Sequence, residues 1–211
     1  MILYTIVAAL TLPIFRRVYR VEVTGAERIP PSGGCILAAN HDSILDGFFL
    51  ALATRRQIHF MAKVELFRRP VVKHIVRRLG CFPVERGGDV GEAIDRAAQL
   101  LDQGEVIGIF PQATCRPYRD RPFRRGAARL ALATGAPIVP VAMIGVERSI
   151  QPRSHRIGFP RVKILVGEPL LGEGQKPSRK QAVALTEQLE RAIAELRAPY
   201  GEPDHVWYEA A

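Results

Sequence analysis

The chain has 211 residues, 47% of them apolar and 24% charged, which fits one domain with a full hydrophobic core and excludes a disordered or collagen-like protein. Thirty basic side chains, most of them arginine, face 21 acidic ones for a net charge of +9, so anionic partners are expected: phospholipid headgroups, a phosphorylated substrate, an acidic carrier protein or nucleic acid. The cysteines, Cys35, Cys81 and Cys115, are odd in number and form no Cys-x-x-Cys pair, which argues against a disulfide framework or a zinc site and suits a reducing cytoplasm.

The first element is an apolar run from Ile2 to Phe15, interrupted by Pro13 and followed at once by Arg16, Arg17 and Arg20. It is shorter than the roughly 20 apolar residues that cross a bilayer, and a secretory signal would carry its basic residues before the run instead of after it. Two placements fit: a helix lying at the membrane surface with its arginines at headgroup depth, or a helix packed on the domain's own core.

After the turn cluster Pro30-Pro31-Ser32-Gly33-Gly34 comes Cys35-Ile36-Leu37-Ala38-Ala39, a short apolar run bounded by punctuation that predicts a buried strand in which Cys35 acts as a small hydrophobe. Asn40-His41-Asp42-Ser43 follows. Asp42 and Ser43 are N-cap residue types, and Ile44, Leu45, Phe48, Phe49 and Leu52 then recur at helical spacing, which puts His41 on a strand-to-helix connection. Pro70 stops the segment around Lys63-Val64-Glu65-Leu66-Phe67, and a helical face from Val71 to Leu79 ends at Gly80. Cys81 to Val84 reads as a strand, Asp89 to Asp102 as a helix, Val106 to Phe110 as a strand, Gly126 to Thr134 as a helix, Pro137 to Ile144 and Val162 to Val166 as strands. Ser178 with Gln181 forms a capping box that opens a helix to about Arg197. Such alternation predicts an α/β layered domain, residues 21–198, with a mostly parallel sheet flanked by helices; residues 1–20 form the membrane-associating helix and 199–211 a tail.

His41 and Asp46 suggest the chemistry. An alcohol attacking a thioester must lose its proton, which a neutral imidazole can accept, while a carboxylate on the far ring nitrogen fixes the tautomer and stabilises the imidazolium. Five residues apart on a regular helix, the two would sit about 140° from each other. They can meet only if His41 lies before the helix begins. His59, His74, His155 and His205 have no such setting and are read as surface or core-edge residues.

The blocks carrying these residues resemble, in order, those of the 1-acylglycerol-3-phosphate acyltransferase family. Asn40 to Asp46 is similar to its first motif, a His, four residues and an Asp; Lys63-Val64-Glu65-Leu66 to a Lys-x-Glu-Leu segment; Gly80 to Gly87 to the second motif; Phe110-Pro111-Gln112-Ala113-Thr114 to the third; and Val139 to Ala142 to the fourth. The resemblance implies His41 and Asp46 as the catalytic pair and Lys63, Arg86, Gln112, Thr114 and Arg116 as ligands of the acceptor and its phosphate. It also implies acyl-CoA or acyl carrier protein as donor, no metal or further cofactor, and a peripheral position on the cytoplasmic face of a membrane. The third block departs from the family's Phe-Pro-Glu-Gly-Thr-Arg: Gln112 stands for the Glu, Ala113 for the Gly and Cys115 for the Arg, with Arg116 displaced by one. Losing a carboxylate and a guanidinium there opens the way to a different acceptor.

From Arg116 to Arg129 six arginines are interleaved with Tyr118 and Phe123, a solvated basic face or a dock for headgroups, coenzyme A phosphates or an acidic carrier protein. A condensing enzyme with a His-His-x-x-x-Asp-Gly motif does not match, because its histidine lies one residue closer to the Asp. A non-catalytic basic membrane-binding module would leave the His41 block unexplained, and no signature of nucleic-acid binding is present.

Overall fold

The computed structural model describes residues 11–68, 73–74, 76–77, 80–84, 91–113, 122–150, 157–172 and 178–201, without the side chains of Lys63 and Leu66. Among these residues seven strands form one sheet: β1 (Glu22–Thr24), β2 (Cys35–Ala39), β3 (Ile58–Lys63), β4 (Phe82–Val84), β5 (Val106–Ile109), β6 (Ile138–Ile144) and β7 (Lys163–Val166), in the order β1-β7-β6-β2-β5-β3-β4. Every pairing is parallel except β6 with β7. The expected mostly parallel α/β architecture is therefore present.

β2 lies in the middle of the sheet, between β5 and β6, and all five of its residues are buried. A strand with parallel neighbours on both edges and covered faces has no solvent side to alternate toward, which is why its sequence is a continuous apolar run. Ile36 and Ala38 point into a cluster with Ala97, Leu101, Leu130, Leu189 and Ile193, beneath helices α4 (Gly91–Asp102), α5 (Gly126–Thr134) and α6 (Arg179–Arg197). Cys35, Leu37 and Ala39 point the other way, into a cluster with Tyr19, Ile29, Phe49 and Leu50. The helices earn these positions by spacing: Ala93, Ala97, Leu100 and Leu101 form one stripe of α4, and Ala182, Leu185, Leu189 and Ile193 one stripe of α6. Ser178 Oγ accepts the Gln181 N–H at 3.2 Å and Gln181 Oε1 accepts the Ser178 N–H at 3.0 Å, the capping box expected for α6.

The second face is covered by helix α1 (residues 11–18 within the described part), the turn after it and α2 (Asp46–Ala51). Phe15 packs on Tyr19, Phe48 and Phe49 with ring centroids 4.6, 5.9 and 4.8 Å apart. One side of α1 is thus seated on the domain, as the second of the two anticipated placements has it, while Ile14 and Val18 are exposed. α3 (Val64–Arg68) follows β3 directly. No helix among the described residues is long and apolar enough to cross a membrane.

Candidate functional site

In a parallel sheet the loops that leave the carboxyl ends of the strands share one edge, and that edge is where ligands bind. Here β2 runs out into Asn40 and His41, β5 into Phe110 and Gln112, β3 ends at Lys63, and β4 ends at Val84 in register with Lys63.

His41 and Asp46 are in contact. The imidazole Nδ1 lies 2.9 Å from Asp46 Oδ2. The same oxygen accepts the backbone N–H groups of Asp42 at 2.7 Å and Ser43 at 2.9 Å. An oxygen already accepting two backbone hydrogens is the acceptor for the ring as well, so Nδ1 carries the hydrogen and Nε2 the lone pair of neutral His41. Asp46 has no exposed side-chain surface, whereas His41 retains 17%. Burial raises the affinity of Asp46 for a proton, and the bonds from His41 and the two backbone N–H groups oppose it. His41 precedes the helix, but not because Asp42 or Ser43 caps it. The N-cap position is Leu45, without a side-chain cap, and Asp46 is the first helical residue. Asp42 and Ser43 are instead buried beneath the loop, where Ser43 Oγ meets Ser149 Oγ at 2.7 Å and donates to Ile150 O at 3.0 Å.

The imidazole is stacked on Phe110, centroids 4.3 Å apart and planes 15° from parallel, and Phe110 is stacked in turn on Phe60 at 5.9 Å. Gly108 makes room for this column, since a Cβ there would stand 2.3 Å from Phe60 Cε1. Gln112, expected to face the acceptor, turns its amide oxygen to the backbone N–H of His41 at 2.7 Å, and its buried Nε2 has no hydrogen-bond partner among the described residues. The next residue, Ala113, has φ +61°, in the left-handed region that favours glycine. The related pattern's Gly falls at this position, so the turn is preserved although the residue is not.

Residues that the sequence did not flag lie under the loop. Asn40 Nδ2 donates to Asp42 Oδ2 at 2.6 Å and to Met143 O at 2.9 Å, and Asn40 Oδ1 accepts the Met143 N–H at 2.7 Å. Arg197 Nη1 is 3.3 Å from both Asp42 Oδ2 and Met143 O. Glu147, buried beyond β6, adds a third carboxyl group to this interior. Burial pushes Asp42 up to about 6 and raises Glu147 too, with the guanidinium of Arg197 pulling against both. Of the remaining expected residues, Lys63 is placed by its backbone at the end of β3, while Arg86, Thr114 and Arg116, like Cys115, lie outside the described residues.

The Acyltransferase family profile matches residues 20–144. A 1-acyl-sn-glycerol-3-phosphate acyltransferase of Bacillus subtilis is 34% identical over 181 residues, 83% of this chain and 87% of that protein. A chloroplastic enzyme of the same description from Brassica napus is 28% identical over 159 residues, 73% of this chain and 46% of its own. The crystal structure of the 1-acyl-sn-glycerophosphate acyltransferase from Thermotoga maritima superposes with a TM-score of 0.70 at 25% identity, covering 89% of this chain and 80% of that one.

Proposed function

The chain belongs to the Acyltransferase family, and from that premise we propose that it moves a fatty acyl group from a thioester to the free hydroxyl of 1-acyl-sn-glycerol-3-phosphate, a step of phospholipid biosynthesis. The observation that carries this reading is the His41–Asp46 contact at 2.9 Å on the carboxyl edge of the sheet, joined to relatives whose names specify that acceptor.

The chemistry follows from the tautomer. With Nδ1–H given to Asp46, Nε2 of His41 accepts the hydroxyl proton of the acceptor while its oxygen bonds to the thioester carbonyl carbon. When the tetrahedral intermediate collapses, the carbon–sulfur bond breaks and the imidazolium returns that proton to the departing thiolate. The products are an ester and a thiol, and the sequence of steps needs no metal or further cofactor. Asp46, held by two backbone N–H groups, fixes the ring and offsets the imidazolium charge. Stacking on Phe110 restricts the ring to one plane. The acceptor phosphate is assigned to Lys63, Arg86, Gln112, Thr114 and Arg116. Lys63 supports this by ending β3 opposite Val84, two residues before Arg86, and Gln112 by lying beside His41, whose backbone N–H its amide oxygen accepts. The donor is a coenzyme A or acyl carrier protein thioester, drawn to the basic stretch from Arg116 to Arg129.

The site works at a membrane surface, on the cytoplasmic side. Ile14 and Val18 of α1, Ile44 and Phe48 beside His41, and Ile157 and Phe159 are exposed large apolar residues. Ring contacts bring Phe15 to Phe48 and Tyr19 to Phe159, and backbone pairing brings Ile44 through Ile150 to Ile157, so the segments that carry these residues are neighbours. The exposed arginines Arg16, Arg17 and Arg20 lie beside Ile14 and Val18 in the chain. Apolar residues rimmed by arginine suit an anionic leaflet.

The test is product analysis by mass spectrometry, with acyl-CoA and acyl carrier protein donors against a panel of lysolipids. Phosphatidate is the expected product, and His41→Ala is expected to lower its rate by about 10²- to 10⁴-fold with the fold intact. A folded protein that transfers to no glycerophosphate-based acceptor would exclude this reading.

A further inference from the structure

Arg197 is the last residue of α6 and is 5% exposed, the one buried cationic side chain among the described residues. It reaches 155 positions back along the sequence to the loop that carries His41. Its Nη1 lies 3.3 Å from Asp42 Oδ2 and 3.3 Å from Met143 O. Asn40 bonds to that same carboxylate oxygen and to both backbone groups of Met143. Arg197, Asp42, Asn40 and Met143 therefore close a ring that grips the chain on both sides of His41, at residues 40 and 42. The ring connects onward through the backbone, because the Asp42 N–H donates to the Asp46 oxygen that holds the imidazole.

A buried ion pair is a poor way to gain stability, since neutral groups of similar size often do as well or better. Its use is to fix geometry, and here the geometry it fixes is that of the loop between His41 and Asp46. We infer that Arg197 is a positioning residue for acyl transfer, acting through Asp42 and Asn40 to hold Asp46 and the His41 ring in reacting alignment. This rests on the reading of His41 and Asp46 as the catalytic pair.

The experiment measures kcat and KM for both substrates with the full-length protein and its Arg197→Met, Arg197→Lys and Asp42→Asn/Arg197→Met variants, with His41→Ala as the reference. Arg197→Met is expected to lower kcat by about tenfold or more while both KM values stay within about threefold, because misplacement of a catalytic group slows the chemical step more than it weakens binding. Arg197→Lys, whose ammonium can donate to both oxygens, is expected to restore kcat to within about fivefold of the unaltered protein. The double variant removes both charges together and so folds even where Arg197→Met alone does not; its kcat is expected to be as low as that of Arg197→Met. A folded Arg197→Met or double variant with kcat within about twofold of the unaltered protein overturns the inference. So does a loss of stability with unchanged turnover per folded molecule. If His41→Ala itself keeps full turnover, the catalytic reading fails first, and the two failures are told apart.

Discussion

A carboxyl group without solvent and with one guanidinium near it holds its proton longer than it would in water. Burial lifts Asp42 to about 6 even though Arg197 and Asn40 pull it down, while Asp46 and Glu147 add to the lift. An unfolded Asp titrates near 3.9, so the folded state binds this proton more tightly than the unfolded chain does. The contribution of Asp42 to stability is therefore intact below about pH 4 and is lost as the pH rises through about 6. Two units correspond to about 3 kcal/mol. Asp42→Asn removes the titration, so the stability of the unaltered protein relative to this variant should fall by up to about 3 kcal/mol between pH 4 and pH 7. Asp46 and Glu147 remain in both proteins, but they are coupled to Asp42, so about 3 kcal/mol is an upper bound on the difference. Denaturant unfolding at the two pH values measures the difference, and a constant difference would show that Asp42 does not titrate in this window. At this scale the sequence exposes whatever is close along the chain: His41 and Asp46 are five residues apart and can be paired on paper. The bonds of Arg197, Met143 and Gln112 join distant positions, and no local pattern announces them.

Among the elements, the turn after β5 and the strand before it respond oppositely to small changes of side chain. At Gly108 an added Cβ would meet Phe60 at 2.3 Å and Ile58 Cγ2 at 2.9 Å, so Gly108→Val must displace the aromatic column on which His41 rests. The expected result is a folded protein destabilised by about 1 to 3 kcal/mol, with turnover reduced by about tenfold or more through misplacement of the ring. Unchanged turnover would mean that the column does not position His41. Ala113→Gly relieves the cost of φ +61° but adds freedom to the unfolded chain, two effects of about 1 kcal/mol or less that oppose each other. Its melting temperature should stay within a few degrees of the original, and a large drop would mean that the Ala113 methyl group packs. Element reading from sequence worked where periodicity was long: α5 spans the expected Gly126–Thr134, and α6 ends at Arg197 as anticipated. It missed β1, whose three residues are too few to show a period, and β3, where His59 and Lys63 interrupt an apolar run and the strand is defined by its neighbours β4 and β5.

For the molecule as a whole, alternation of strands and helices was enough to give the layered α/β architecture, but not the placement of β2 between two strands formed much later in the chain. The grouping of segments that carry exposed apolar residues, from Ile14 to Phe159, is likewise a property of the assembled surface. If these residues meet the bilayer, replacing Phe48 and Phe159 together with Glu should release the protein from anionic vesicles at physiological salt and lower activity on bilayer substrate more than on a short-chain soluble one. Undiminished sedimentation with vesicles would place the membrane contact elsewhere.

The ring beneath His41 also has a consequence for how the protein comes into being. The His41–Asp46 contact is local, but the bonds that secure its loop close spans of 103 residues to Met143 and 155 residues to Arg197. Contacts of such high sequence separation carry a large chain-closure entropy. A nascent chain that has emerged only as far as β6 already contains every block of the family resemblance, yet it lacks α6, whose Arg197 completes the loop. Recovery of turnover during refolding should thus not precede the docking of α6, and the same holds for the growing polypeptide.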